Sequence, residues 1–218
     1  MDWSVITKNL EFMLGGLLLT FELALITLAG GLLLGIVLAL GRLSSKPWLH
    51  YPATVYIHFF RGLPLILVIF WLYFLSPVIT GKSINEFAAA VVSFIVFEAA
   101  YFAEIIRAGI QSIPKGQIMA AQSAGLMPFD TARFVVLPQA LRNMVPALVT
   151  QAVVLFQDTS LGYVIGLREF LRRVNLVDAR EARSIELYLF AGLVYFTICS
   201  IGSWGSQRLE KRTKRNWV

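Results

Sequence analysis

Residues 23–41 read LALITLAGGLLLGIVLALG and contain no charged side chain. A helix needs about 20 mostly apolar residues to cross the hydrocarbon core of a bilayer, and this stretch completes an apolar segment that begins near residue 12. A chain surrounded by lipid must satisfy its backbone hydrogen bonds within itself. The segment is therefore predicted to be a membrane-spanning α-helix.

The composition of the whole chain agrees with a membrane protein. Of its 218 residues, 57% are hydrophobic and 15% are charged, whereas a soluble domain carries about 25% charged residues. The net charge of +6 could indicate a nucleic-acid partner. The basic residues lie between and after the apolar segments, however, as membrane topology predicts, so no nucleic-acid binding is expected.

Five segments are long and apolar enough to cross a bilayer. Their approximate bounds are 12–41, 53–79, 86–107, 134–157 and 185–207. Gly62 and Pro64 should bend or break the second span. The fold class is predicted to be an all-α integral membrane protein, with one transmembrane domain over 1–218 and no separate soluble domain.

The basic residues predict the orientation. Lys and Arg occur in the connections after the first and third spans and in the segment after residue 207. By the positive-inside rule these parts face the cytoplasm, so the N-terminus lies outside and the C-terminus inside. The connection over 158–184 is an exception, because it would lie outside and yet holds five arginines: Arg168, Arg172, Arg173, Arg180 and Arg183.

The half-polar stretch GQIMAAQSAGLMPFDTARFVVLP, at 116–138, separates two apolar segments. Its IMAAQSAG portion favours a short helix that Gly125 would end, and Pro128 opposes a simple continuation. Three alanines give this helix little bulk, so that another surface can approach it: Ala120, Ala121 and Ala124. The stretch offers no nucleophile–base pair, so docking is favoured over catalysis.

The spacing of this stretch resembles the EAA loop of bacterial ABC importer permeases. That loop reads Glu-Ala-Ala, three residues, Gly, nine residues, Ile, one residue and Leu-Pro. The matching residues here are Ala120-Ala121, Gly125, Val135 and Leu137-Pro138. Met119 stands where Glu is usual, and Val135 where Ile is usual. The resemblance implies a cytoplasmic coupling loop over about 108–133, with contacts to the ATPase from Gly116, Met119, Ala120, Ala121, Ala124 and Gly125.

Other segments resemble the permeases of polar amino-acid importers. These are FFRGLPLILVIFWLYF at 59–74, AYFAEIIRAGIQSIPKGQ at 100–117 and LPQALRNMVPALVTQ at 137–151. FEAAYFAEIIRAGIQSI together with LFQDTSL is similar to the glutamate/aspartate branch. The resemblance covers nearly the whole chain. It implies the type I importer permease fold and import of glutamate or aspartate, or alternatively of histidine, arginine or glutamine, across the bacterial cytoplasmic membrane.

The resemblance also implies partners. They are a second permease subunit, often in a heterodimer, two ATPase subunits, and an extracytoplasmic binding protein that delivers the amino acid. The chain has no GxxxxGK[ST] phosphate loop, so ATP and magnesium would be bound by the ATPases. No catalytic residue, cofactor or metal site is predicted in this chain.

Ionisable and polar groups inside the spans are candidates for the substrate pathway. Glu98 lies mid-span with Tyr101 on the same helix face, and it could line the pathway or bond to a neighbouring span. Gln151 could line the same cavity as Gln157 or make an interhelical hydrogen bond. Glu104 and Arg107 are expected to form an intrahelical ion pair.

The fourth span closes on four consecutive polar residues: Gln157, Asp158, Thr159 and Ser160. Together they could hold a zwitterion, or they could stop the helix and cap the next segment. Arg61, just before the predicted break, could meet a substrate carboxylate or anchor the chain to the membrane or the coupling loop.

Two other classes of function are alternatives to a permease. An intramembrane enzyme could use Glu98 or Asp158 as a catalytic carboxylate, but the chain lacks paired motifs such as HExxH or a Ser/His arrangement. A membrane scaffold or sensor would leave the full-length spacing match without a cause.

Overall fold

The computed structural model describes residues 2–215, with side chains as far as residue 211. Within this range the chain is helical and has no strand. The α-helices are α1 Ser4–Leu43, α2 Pro47–Arg61, α3 Leu65–Thr80, α4 Glu86–Gln111, α5 Lys115–Ser123, α6 Pro128–Asp130, α7 Leu137–Asp158, α8 Phe170–Glu181 and α9 Ser184–Arg215. A π-helical segment, Thr131–Val136, leads into α7, and a 3-10 segment, Thr159–Ile165, follows it.

Among the described residues, four helical segments are long and apolar enough to cross a membrane: Ser4–Leu43, Glu86–Gln111, Pro128–Ile165 and Ser184–Lys211. Helices α2 and α3 qualify together as a fifth, with a bend of 104° between them. The bend falls at Gly62–Pro64, as predicted, because Pro64 has an extended backbone and supplies no N–H for continuing α2.

Helix α1 packs against α4 through a stripe of mostly small residues. Its buried positions in this stripe recur every three or four residues: Leu23, Thr27, Gly31, Gly35 and Ala39. The buried Gly16 and Thr20 face the start of α8 instead. At Gly35 an added Cβ would lie 2.7 Å from the Phe102 Cβ and 3.1 Å from the Ala99 carbonyl oxygen. Small residues let two helix backbones approach closely, which is the main source of helix association in lipid.

Helix α4 is the centre of the bundle. In its most apolar stretch 61% of the residues are buried. The corresponding share is 28% or less in the other three long helical segments. Helices α1, α2, α3 and α7 all pack on it. Apolar side chains on the outer faces of these helices, such as Leu18 and Leu33 of α1, are exposed, as expected of surfaces that face lipid.

The 158–184 connection, which is predicted only as a loop, contains a folded helix. Phe170, Val174 and Val177 of α8 are buried in one apolar cluster with Met13 and Leu187. This cluster holds α8 at the end of the bundle where α1 begins and α9 begins. Helix α5 lies at the opposite end, where α1 finishes.

Glu169 fixes the start of α8. Its carboxylate accepts hydrogen bonds from the backbone N–H of Leu171 at 2.8 Å and of Arg172 at 2.7 Å, and the Tyr195 hydroxyl donates to it at 3.4 Å. Burial raises the pKa of this carboxyl to about 7, and the three hydrogen bonds act in the opposite direction. Glu is an uncommon N-cap residue, so this helix start is hard to predict from the sequence.

The α1–α4 contact can be tested at Gly35. Gly35→Ala should lower the free energy of unfolding by about 1–3 kcal/mol, because the added methyl group meets the backbone of α4. The matched change Gly192→Ala on α9 meets nothing within 4 Å and should be neutral or slightly stabilising. Thermal unfolding of the purified protein in detergent would measure both. Equal unfolding temperatures for the two variants would contradict the close packing of α1 on α4.

Candidate functional site

Glu98 is a buried carboxylate at the middle of the central helix. Its side chain has no exposed area, and the Gly31 position of α1 lies against its Cβ. Gln151 of α7 donates from Nε2 to Glu98 Oε2 at 2.9 Å. Glu98 Oε1 is buried and has no hydrogen-bond partner among the described residues. A buried acceptor without a donor is costly, so Oε1 is suited to an ammonium group or water.

Three further predicted side chains lie around Glu98. Asp158, at the end of α7, is close enough to Glu98 and Tyr101 to interact with both electrostatically. The Arg61 guanidinium lies 5.5 Å from the centroid of the Tyr101 ring. The structure therefore brings five of the eight predicted pathway residues into one neighbourhood, formed by α4, the end of α7 and the bend after α2.

Gln157 and Thr159 do not join this group. Gln157 is exposed on α7 and its side chain lies near Cys199 of α9. Residues six apart on a helix point in different directions, and Gln151 already faces α4. Thr159 is buried, and its hydroxyl donates to the Phe156 carbonyl oxygen at 2.6 Å. Ser160 is half-buried in the 3-10 segment.

Glu104 organises a cluster of arginines near the other end of α4. Arg107 donates to its carboxylate from Nε at 2.9 Å and from Nη2 at 3.1 Å, which confirms the predicted ion pair. Arg42 of α1 and Arg61 also pair with it, the latter at 3.3 Å. These two partners were not predicted from the sequence. The only signal that linked them with Glu104 was that all three residues were expected near the cytoplasmic side.

The arginine cluster opens into a cleft of about 450 Å³ between α4 and α7. Arg61 and Arg107 line the cleft together with Ser112 and Asn143, and Asn143 Nδ2 donates to the Ser112 hydroxyl at 2.8 Å. Three guanidinium groups surround one carboxylate, so the cluster carries an excess of positive charge. Such a cleft attracts carboxylate-bearing solutes.

The predicted coupling helix is present as α5. The Gly125 N–H donates to the Gln122 carbonyl at 3.0 Å, and the Leu126 N–H donates to the Ala121 carbonyl at 3.1 Å. This pair of bonds is the Schellman motif, and Gly125 has the φ of +87° that the motif requires. The prediction that Gly125 ends the helix is confirmed. Ala121 is the buried residue of α5, while Met119 is 62% exposed.

Comparison with known proteins identifies the family. The family model described as binding-protein-dependent transport system inner membrane component matches residues 31–215. The chain belongs to this family.

Two relatives show the class of solute. The permease is 41% identical to the glutamate/aspartate import permease protein GltK of Escherichia coli O6:H1, over 97% of this chain and 98% of that one. It is 38% identical to the probable glutamine ABC transporter permease protein GlnP of Bacillus subtilis, over 94% and 95% of the two chains.

A solved structure shows the fold. The crystal structure of an amino acid ABC transporter with histidines superimposes with a TM-score of 0.92 at 31% identity, over 97% of this chain and 99% of that one. The predicted type I importer permease fold is confirmed. This permease is a multi-pass inner-membrane subunit of an amino acid ABC importer. Such permeases are not enzymes, carry no cofactor themselves, and work with ATPase subunits and a substrate-binding protein.

The Glu98–Gln151 bond can be tested by removing its donor. Gln151→Met leaves the buried Glu98 carboxylate without a donor and should lower the free energy of unfolding by about 1–3 kcal/mol. Gln157→Met, the same change on the exposed side of α7, should have a smaller effect. Thermal unfolding in detergent compares the two variants. If Gln151→Met were as stable as Gln157→Met, the bond would contribute nothing to the fold.

Proposed function

We propose that this permease imports glutamate and aspartate, with its N-terminus outside the cell and its C-terminus in the cytoplasm. The observation that carries the acidic preference is the arginine cluster, in which Arg42, Arg61 and Arg107 surround the single carboxylate of Glu104. The 41% identity to GltK supports the same choice. The orientation rests on the distribution of Lys and Arg.

The Glu98 neighbourhood is proposed to hold the amino group of the substrate. An ammonium donor would satisfy Glu98 Oε1, and the Asp158 carboxylate adds to the negative potential there. Tyr101 and Gln151 would fix the position of the ligand by hydrogen bonds. Gln157, Thr159 and Ser160 remain candidate pathway residues of lower rank, because the first faces α9 and the second is bonded within its own turn.

Arg61 is proposed to bind the side-chain carboxylate. Its side chain is 41% exposed, whereas those of Arg42 and Arg107 are 16% and 26% exposed, and its contact with Glu104 is 3.3 Å long. Glu104 already receives two closer hydrogen bonds from Arg107. Arg61 can therefore exchange Glu104 for a substrate carboxylate while Glu104 keeps its other partners.

A second candidate is import of basic or neutral polar amino acids. The carboxylates of Glu98 and Asp158 lie together and could bind a cationic side chain as well as an amino group. The similarity to a probable glutamine permease points the same way. The two candidates differ in the part that they give to Arg61.

The coupling of transport to ATP hydrolysis is proposed to pass through α5. This helix is proposed to be part of a single transmembrane domain. Gly116, Met119, Ala120, Ala121, Ala124 and Gly125 would form the contact with an ATPase subunit, which binds ATP and magnesium. Gly116, Ala120 and Ala124 are small and exposed, which suits close docking, and the Schellman motif holds the helix end in one conformation. Two ATPases and a second, non-identical permease would complete the membrane part of the importer.

Uptake by the complete transporter in proteoliposomes tests the substrate. ATP-dependent uptake of labelled glutamate should be competed by aspartate and hardly by arginine or histidine. Arg61→Gln should reduce glutamate uptake by about tenfold or more, because a charged hydrogen bond to the substrate is lost. The control Arg208→Gln removes the same charge from α9, where Arg208 packs on Trp204, and should keep normal uptake. Competition by arginine together with unchanged uptake in Arg61→Gln would favour the second candidate.

The coupling assignment is tested at Gly125. Alanine in the left-handed conformation costs roughly 1–2 kcal/mol, so Gly125→Ala should weaken ATPase attachment by about fivefold or more and lower uptake per ATP hydrolysed. Gly205→Ala is the matched control, since its added Cβ meets nothing within 4 Å and its backbone is helical. Co-purification of the ATPase and the ratio of uptake to ATP hydrolysis measure the effect. Identical ratios in the two variants would contradict the assignment.

A further inference from the structure

The connection between α7 and α9 holds more arginines than are usual for a segment on the outer side of the membrane, where it is proposed to lie. Five arginines lie within 168–183, although Lys and Arg normally accumulate on the cytoplasmic side. They lie at the end of the bundle opposite α5. The coupling contact therefore does not account for them, and the residues around Glu98 and Glu104 do not include them.

Helix α8 holds part of this charge in a fixed arrangement around Phe12 of α1. The Arg173 and Arg180 guanidiniums lie 5.1 and 5.3 Å from the centroid of the Phe12 ring. Arg173 Nη1 also donates to the Phe12 carbonyl at 2.8 Å, and Arg173 Nε donates to the Arg168 carbonyl at 3.0 Å. Two like charges are thus held beside one aromatic ring, and Arg168 is exposed next to them.

The acids of this region that are engaged in hydrogen bonds have donors other than the arginines beside Phe12. Glu169 is buried as the cap of α8, Glu186 accepts from the Asp2 N–H at 2.8 Å, and Asp178 accepts from the Ser184 hydroxyl. In the part of the chain that the structure describes, no arginine of 168–183 forms an ion pair with a carboxylate.

The exposed acids of this region are Asp2, which precedes α1, Glu11 on α1 and Glu181 on α8. Asp2 interacts electrostatically with Arg183, so the local excess of positive charge lies with Arg173 and Arg180 beside Phe12 and with Arg168 next to them. Because the apolar cluster and the Glu169 cap anchor α8 to the bundle, the surface is rigid, and little side-chain and backbone entropy would be lost when a partner binds.

We propose that Arg168, Arg173 and Arg180, together with Phe12, form a docking surface for an acidic face of the substrate-binding protein. This surface is named the arginine patch. The inference rests on the proposed orientation, which places α8 outside, where a binding protein must deliver its amino acid. Members of the family work with such a protein. Arginine and aromatic side chains are enriched at the centres of protein interfaces, and complementary charge raises the rate of association.

The test uses the complete transporter in proteoliposomes and its binding protein, saturated with whichever amino acid stimulates the wild type. ATP hydrolysis is measured against binding-protein concentration at low and high NaCl. Arg168→Gln with Arg180→Gln should raise the half-maximal concentration about fivefold at low salt, as expected for the loss of two exposed ionic contacts, and leave the maximal rate unchanged. The difference should shrink at high salt, because salt screens exposed charges. Arg173 is left intact because it also holds α1 and α8 together.

The control Arg208→Gln, which removes one charge at the opposite end of α9, should match the wild type. An unchanged half-maximal concentration in the double variant would overturn the docking surface and leave the proposed function standing. Absence of any stimulation of the wild type would overturn both. The titration is repeated in vesicles with and without phosphatidylglycerol, to identify binding of the arginines to anionic lipid. An effect of the double variant that occurs only with this lipid would overturn the proposal.

Discussion

The structure depends on the close approach of α1 and α4. Along this contact glycine, threonine and alanine of α1 face the alanine-rich side of α4, and at Gly35 the space left for a Cβ is filled by α4 itself. Within a bilayer such contacts replace the hydrophobic driving force that packs soluble proteins. They make α4 the most buried span, and the other helices take their positions around it.

The same packing gives the polar groups of α4 their properties. Glu98 lies beneath Gly31 and is shielded from both lipid and solvent. Its hydrogen bond with Gln151 is therefore stronger than it would be in water. Burying its second carboxylate oxygen without a donor costs free energy for the same reason. Glu104, two turns further along, lies where α1 and the end of α2 can bring arginines to it. Helix α4 thus carries two different carboxylates. That of Glu98 has an unused acceptor oxygen, and that of Glu104 is surrounded by arginines.

Sequence reasoning succeeded where the cause is local. The break at Gly62–Pro64, the end of α5 at Gly125 and the Glu104–Arg107 pair all follow from residues within one or two turns of each other. It failed where the partners are distant in the chain. The contacts of Arg42 and Arg61 with Glu104 depend on how α1 and α2 pack on α4. The direction of Gln157 toward Cys199 follows from the rotation of α7 about its axis, which is set by the packing of α7 on α4 and α9.

The route from α5, the proposed coupling helix, to the Glu98 neighbourhood is short. Helix α5 is joined through Pro114 to the end of α4 and through α6 and the π-helical segment to α7. The Asn143–Ser112 hydrogen bond holds those two helices together near α5, and the Gln151–Glu98 bond holds them together further along. A displacement of α5 would therefore act first on the separation of α4 and α7. Coupling between two sites requires an element whose state both sites can bias, and this helix pair has one hydrogen bond near each of the two proposed sites.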